Sequence, residues 1–168
     1  MNLSDFETLY NTTIEKTSQL VDFNRHWKEA KEWNYKISSR MTRNVGLTDY
    51  SKKLFTFSKP YIEVYDSNEV KDTILHEIAH ALTPDAETSH DDSWKEMFIL
   101  IGGSGEVDFI STKEFQDYIN KYEMYCSHCG RAGDRSPRKT NIDYACSYCL
   151  ARTGKQYILT CRKINKRP

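Results

Sequence analysis

Three of the chain's five histidines, His76, His80 and His90, fall within fifteen residues, and the first two bracket Glu77 in the string His76-Glu-Ile-Ala-His80. Residues four apart are neighbours on one face of an α-helix. On a helix, His76 and His80 can therefore grip one zinc ion while Glu77 projects beside it toward a bound water. Hydrolytic zinc needs three protein ligands and one open position. The third candidate is His90, to which the chain returns through Thr83-Pro-Asp-Ala-Glu-Thr-Ser89; Glu87, Asp91 and Asp92 compete for the same place. Such an ion lowers the pKa of its water toward ~7 and polarises a carbonyl. Glu77 is then the general base that takes the water's proton and later delivers it to the leaving amine. The metzincin pattern HExxHxxGxxH is excluded, because Thr83 and Ala86 stand where Gly and His would be required.

A second constellation is Cys126-x₂-Cys129-x₁₆-Cys146-x₂-Cys149. The spacing fits a four-thiolate zinc site made of two tight turns from separate hairpins, with Gly130 relieving the backbone after the first. Four thiols leave no open position, so this ion would be structural, and the expected cofactor is zinc, two ions per chain. His128 lies inside the first pair but is not needed as a ligand, and Cys161 is left over.

The elements that must hold these residues are legible in outline. Asp66 and Glu69 have capping-box spacing, Val70, Ile74, Ile78 and Ala81 recur at helical period, and Pro84 is a stop, which predicts a helix over 66–82. Leu3, Phe6, Leu9, Tyr10, Ile14, Leu20 and Val21 predict an amphipathic helix over 3–21, capped by Asn2 or Ser4. Strands are expected from Trp33 to Ile37, over 54–57 and over 61–65, with a turn at Gly46. A second helix opens at Ser89 or His90, turns Trp94, Phe98 and Ile101 inward, and ends at Gly102-Gly-Ser-Gly105; Trp94 supports the helix that presents His90, or else walls the cleft. That glycine run follows a helix rather than opening one, so it is a connection and not a phosphate cradle. One or two helical turns over 112–121 and a last strand at 157–161 complete the chain. His26 reads as a surface residue. Tyr61, Tyr65 and Arg40 are candidate neighbours for a developing oxyanion, and the 61–65 edge is the candidate for pairing with an extended substrate. The fold class is α+β: a zincin-like domain over 1–120, a small sheet plus the HExxH helix, then a small β zinc ribbon with a basic tail over 121–168.

The chain has 168 residues, 38% hydrophobic and 29% charged, which suits a soluble globular protein. No apolar run approaches a bilayer span and no signal-peptide pattern opens the chain, so an intracellular protein without a membrane partner is expected. Four of the five cysteines in CxxC pairs fit metal binding in a reducing compartment. The net charge of zero hides a split. Residues 121–168 hold eleven Lys/Arg against three Asp/Glu, a net of +8, which leaves −8 on the first 120. Arg131, Arg135, Arg138, Lys139, Arg152, Lys155, Arg162 and Lys163 interleave there with Tyr125, Tyr144 and Tyr148. Cations beside aromatic faces suit single-stranded DNA bound without sequence preference.

HEIAHAL, then His90-x₃-Trp94-Lys95, then two CxxC pairs closely resemble the SprT-like metalloprotease family, over roughly residues 30–160. That family includes the Spartan proteases, which degrade proteins crosslinked to DNA. The resemblance implies a compact protease domain followed by a zinc ribbon, and a DNA-associated endopeptidase acting on protein substrates. Asp91 stands where many members have Gly after the third histidine, and Leu150 where Gly usually follows the second CxxC. Two other classes remain: a metallopeptidase without a nucleic-acid partner, and a zinc-dependent DNA-binding protein with a degenerate enzyme domain. The intact Glu77 argues against the last.

Overall fold

The computed structural model describes residues 1–86, 89–119, 122–133 and 144–163, which form a mixed α+β protein. The chain divides into two compact units, Met1–Phe115 and Gln116–Pro168.

In the first unit, α1 (Leu3–Val21) is capped by Asn2, whose Oδ1 accepts from Asp5 N at 2.9 Å. Its inward face is Phe6, Tyr10, Thr13, Thr17 and Val21, while Leu3 and Leu20 face out. The apolar stripe expected from the sequence is therefore partly displaced. Thr13 tolerates burial because its hydroxyl bonds back to Leu9 O at 2.7 Å. After the short α2 (Trp27–Ala30) come β1 (Asn34–Ser38), β2 (Gly46–Asp49) and β3 (Leu54–Ser58). They form one sheet in the order β1-β3-β2, with β1 parallel and β2 antiparallel to the central β3.

Two expectations fail here. The Gly46 turn is the start of β2, and the expected strand 61–65 is helical, α3 (Lys59–Val64). Ser58 caps that helix by accepting from Tyr61 N, and Pro60 sits in its first turn, where a missing N–H costs nothing. Tyr61, Ile62 and Tyr65 are buried together, a helical spacing that the aromatic run disguised as a strand.

The helix α4 (Ser67–Leu82) follows with both halves of its capping box formed: Asp66 Oδ1 accepts from Asn68 N and Glu69 N, and Glu69 Oε2 accepts from Asp66 N. Val70, Ile74, Ile78 and Ala81 are buried as their spacing predicts. α5 (Asp92–Leu100) buries Trp94 and Phe98, with Ile101 following, and its cap is Asp91, which accepts from Trp94 N at 3.0 Å. Asp91 thus has a local reason to stand where a glycine is common. α6 (Lys113–Ile119) crosses the division between the units.

The second unit pairs β4 (Tyr122–Tyr125) with β5 (Ala132–Gly133) and β6 (Thr160–Lys163), all antiparallel, in the order β5-β4-β6. The second cysteine pair does not sit on a hairpin. Cys146 precedes and Cys149 lies within α7 (Ser147–Thr153). Leu150 is therefore helical, and the left-handed residue that ends the segment is Gly154, φ +67°.

Candidate active site and metal centres

One long face of α4 looks into a cavity of about 870 Å³, whose other walls are β2, the loop after α4 and residues 104–110. His76 and His80 lie on that face one turn apart. The loop 83–91 brings His90 back to them, and Arg25 pairs with Asp85 of that loop at 2.9 Å. His26 stands 3.6 Å from the same carboxylate, so its place is beside this loop and it is not among the clustered histidines. His90 Nε2 lies 3.1 Å from His76 Nε2, and one ring nitrogen from each of the three histidines falls within a 4.8 Å cluster. Of the competing ligands, Asp91 is engaged as a helix cap, Asp92 begins α5, and Glu87 lies outside the described residues.

Trp94 is the floor of this cluster. It is fully buried, with ring centroids 4.7, 5.3 and 4.6 Å from those of His76, His80 and His90. It is a packing residue that touches all three imidazoles. Burial, with a smaller contribution from His90, pushes His76 down to about 4, and burial with its two histidine neighbours pushes His80 down to about 3. Burial also lowers His90. Each shift favours the uncharged imidazole, whose ring nitrogen offers a lone pair.

Glu77 is 5% exposed and faces the same cavity. Burial pushes its carboxyl up to about 7, against a hydrogen bond from Thr48 that pulls it down. Thr48 Oγ1 donates to Glu77 Oε2 at 2.7 Å, and Tyr50 OH donates to His80 O at 2.8 Å. Gly46 comes so close to Glu77 that a Cβ on it would stand 2.3 Å from Oε1. Gly46 and Thr48 lie two apart on β2 and Tyr50 follows just past its end, so one face of this strand and the residue after it shape the site. The turn reading concealed all three, although the β-branched Thr48 directly after Leu47 was a signal for a strand. Tyr61 and Tyr65 line the cavity, but their hydroxyls are spent on Glu69 O and Ile110 O. Arg40 does not line it, and Arg43 does.

A family model described as the SprT-like family matches residues 10–114, which includes α4, the return loop and His90. This chain belongs to the SprT-like family. No curated protein matches it. The match ends before the first CxxC of this SprT-like chain, so the cysteine centre rests on its own geometry.

There, Cys126 Sγ–Cys149 Sγ and Cys129 Sγ–Cys146 Sγ are each 3.8 Å apart, and all four sulfurs lie within 4.8 Å. Gly130, φ +71°, closes the first turn by donating to Cys126 O, and Cys126 N donates to Arg131 O. Backbone N–H groups of Cys129 and His128 aimed at the Cys126 sulfur, opposed by desolvation, bring its thiol down to about 7. Burial, with the neighbouring thiols, pushes Cys149 the opposite way, up.

Of the basic residues singled out in the sequence, Arg131, Arg152 and Lys155 are described and exposed. Arg131 lies 3.5 Å over the Tyr148 ring, and Arg152 stands 5.1 Å from the same ring and contacts its hydroxyl. Tyr148 is thus already engaged by cations, while His128 and Tyr157 stack in parallel at 3.9 Å. Arg162 and Lys163 belong to the backbone of β6, and Arg135, Arg138 and Lys139 lie outside the described residues. No described helix is long and apolar enough to cross a membrane.

Proposed function

We propose that this SprT-like chain is a zinc-dependent endopeptidase that acts on DNA-associated proteins. The observation that carries the reading is the convergence of three imidazoles and one buried carboxyl group on a single cavity. The donor set fits zinc. Zn–N bonds of ~2.0–2.1 Å set tetrahedral nitrogens roughly 3.3 Å apart, against 3.1 Å for His76 and His90. Zn–S bonds of ~2.3 Å set sulfurs roughly 3.8 Å apart, the separation of both cysteine pairs. His76, His80 and His90 would hold one ion, and Cys126, Cys129, Cys146 and Cys149 the other.

An ion on the histidines supplies Lewis acidity toward the scissile carbonyl and a water of lowered pKa. The rest of the chemistry falls to the chain. Glu77, its pKa pushed by burial up to about 7, takes a proton from the attacking water and gives it to the leaving nitrogen. β2, an edge strand beside α4, offers its unpaired side to an extended peptide, in place of residues 61–65. The charge split and the exposed Arg131, Arg152 and Lys155 support a polyanion partner for the second unit.

Purified protein is expected to contain two zinc ions per chain, and His90→Ala one, measured by elemental analysis. If that variant keeps both, the third ligand is elsewhere and Glu87 is the first to test. For the DNA partner, a fragment ending at Asn120 should bind a labelled single strand far more weakly than the full chain. The full chain's affinity should fall steeply with salt, because each neutralised phosphate releases counterions. Equal affinities, or no salt dependence, would leave a metallopeptidase without a nucleic-acid partner.

A further inference from the structure

The two carboxylate oxygens of Glu77 are held differently. Thr48 Oγ1 donates to Oε2 at 2.7 Å and lies 3.0 Å from the same residue's backbone carbonyl. Oε1 sits over Gly46, in space that any β-carbon would fill to within 2.3 Å. Among the described residues, Thr48 is the side chain that hydrogen-bonds this carboxylate. A threonine on a strand has a stiff χ1, so the hydroxyl that holds Oε2 is itself held. An unclamped glutamate, by contrast, has three rotatable bonds with which to leave a productive geometry.

We propose that Thr48 is a positioning residue for proton transfer: it fixes Oε2 so that Oε1, in the gap left by Gly46, is the atom that carries the proton. This rests on the peptidase reading above. In the step, an O–H bond of the attacking water breaks and its proton goes to Oε1, while its oxygen bonds the carbonyl carbon and the C=O π pair moves onto the carbonyl oxygen. That pair then re-forms the C=O bond as the C–N bond breaks and the same proton passes from Oε1 to the nitrogen. Atoms and charge balance without another reactant. A Thr48 that merely ties β2 to α4 through the Glu77 carbonyl would affect folding or metal content, and not the chemical step alone.

The test uses full-length, zinc-loaded protein with fluorescently labelled casein as the probe, and reads kcat, KM, zinc content and melting temperature. Thr48→Val keeps the shape and β-branching of the side chain and removes the hydroxyl. It should lower kcat by about 10- to 100-fold, as a small misplacement of a catalytic group does, with KM, zinc and melting temperature near wild type. Thr48→Ser should recover most of the loss. Gly46→Ala should lower kcat comparably by displacing Oε1 from the other side. Wild-type kcat in Thr48→Val, no recovery in Thr48→Ser, or a loss explained by departed zinc, lowered melting temperature or raised KM overturns the proposal. Glu77→Gln, run in parallel, separates the two levels. If that variant cleaves casein normally, or the wild-type chain never does, the peptidase reading itself has failed.

Discussion

Glu77→Gln is expected to keep the fold and any bound zinc while cutting peptide-bond hydrolysis by ~10²–10⁴-fold, the usual worth of a general acid–base. The variant is close to isosteric, and its amide oxygen can still accept from Thr48, so the surroundings need not move. Stability provides a second, independent reading. Burial raises the Glu77 pKa from 4.5 to about 7. For a carboxyl whose folded pKa lies above its unfolded value, the folded state disfavours ionisation. The resulting cost to stability begins as pH rises past 4.5 and is fully present above about 7. In chelator-treated protein, Glu77→Gln should therefore gain melting temperature over wild type as pH goes from 5 to 8. Turnover within a few-fold of wild type would make Glu77 a structural bystander, and a flat pH comparison would mean that the carboxyl is not desolvated as the structure has it.

The residues nearest the chemistry were the easiest to read from sequence, for a physical reason. Two imidazoles four apart, a capping box and an apolar stripe are all properties of one continuous helix, and α4 carries them within seventeen residues of chain, Asp66–Leu82. His90 was harder, since nothing local fixes a loop return; the Arg25–Asp85 pair beside that loop joins residues sixty apart. The site's second wall was missed because β2 has only four residues and opens on a glycine. In sequence that glycine looks like a turn. In the structure it is there because Glu77 leaves no room for a side chain. The misread α3 has the opposite cause: Tyr, Ile, Val and Tyr favour strands, yet Ser58 and Pro60 start a helix and burial of Tyr61, Ile62 and Tyr65 completes it. Local propensity yielded to tertiary packing at both places.

The largest stability effect is expected in the second unit. Cys149→Ser should abolish the fold of the cysteine centre while leaving the first unit folded. The described elements there are strands of four, two and four residues and one seven-residue helix. Their buried cluster is Cys126, Cys146 and Cys149, with Cys129, Tyr148, Tyr157 and Leu159 packed against it. The core is thus built largely from the ligands themselves, too little apolar surface to offset the entropy of ordering the segment. A structural zinc is worth roughly 10–16 kcal/mol in small metal-dependent folds, far more than such a unit has in reserve. Removing one thiolate leaves three sulfurs and an open position, and the binding energy that folds the segment falls with it. Amide hydrogen exchange gives the readout. Cys126 N on Arg131 O, Cys146 N on Tyr157 O and Leu159 N on Tyr144 O report the cysteine centre. The amides of α4 and β3 report the first unit, whose core includes Phe55, Phe57, Ile74 and Ile78. Protection should collapse at the first set and persist at the second, and chelation of the wild-type protein should reproduce the pattern. Full protection of the cysteine-centre amides in zinc-free Cys149→Ser would show that packing alone holds this segment, and that its four thiols meet for some purpose other than structure.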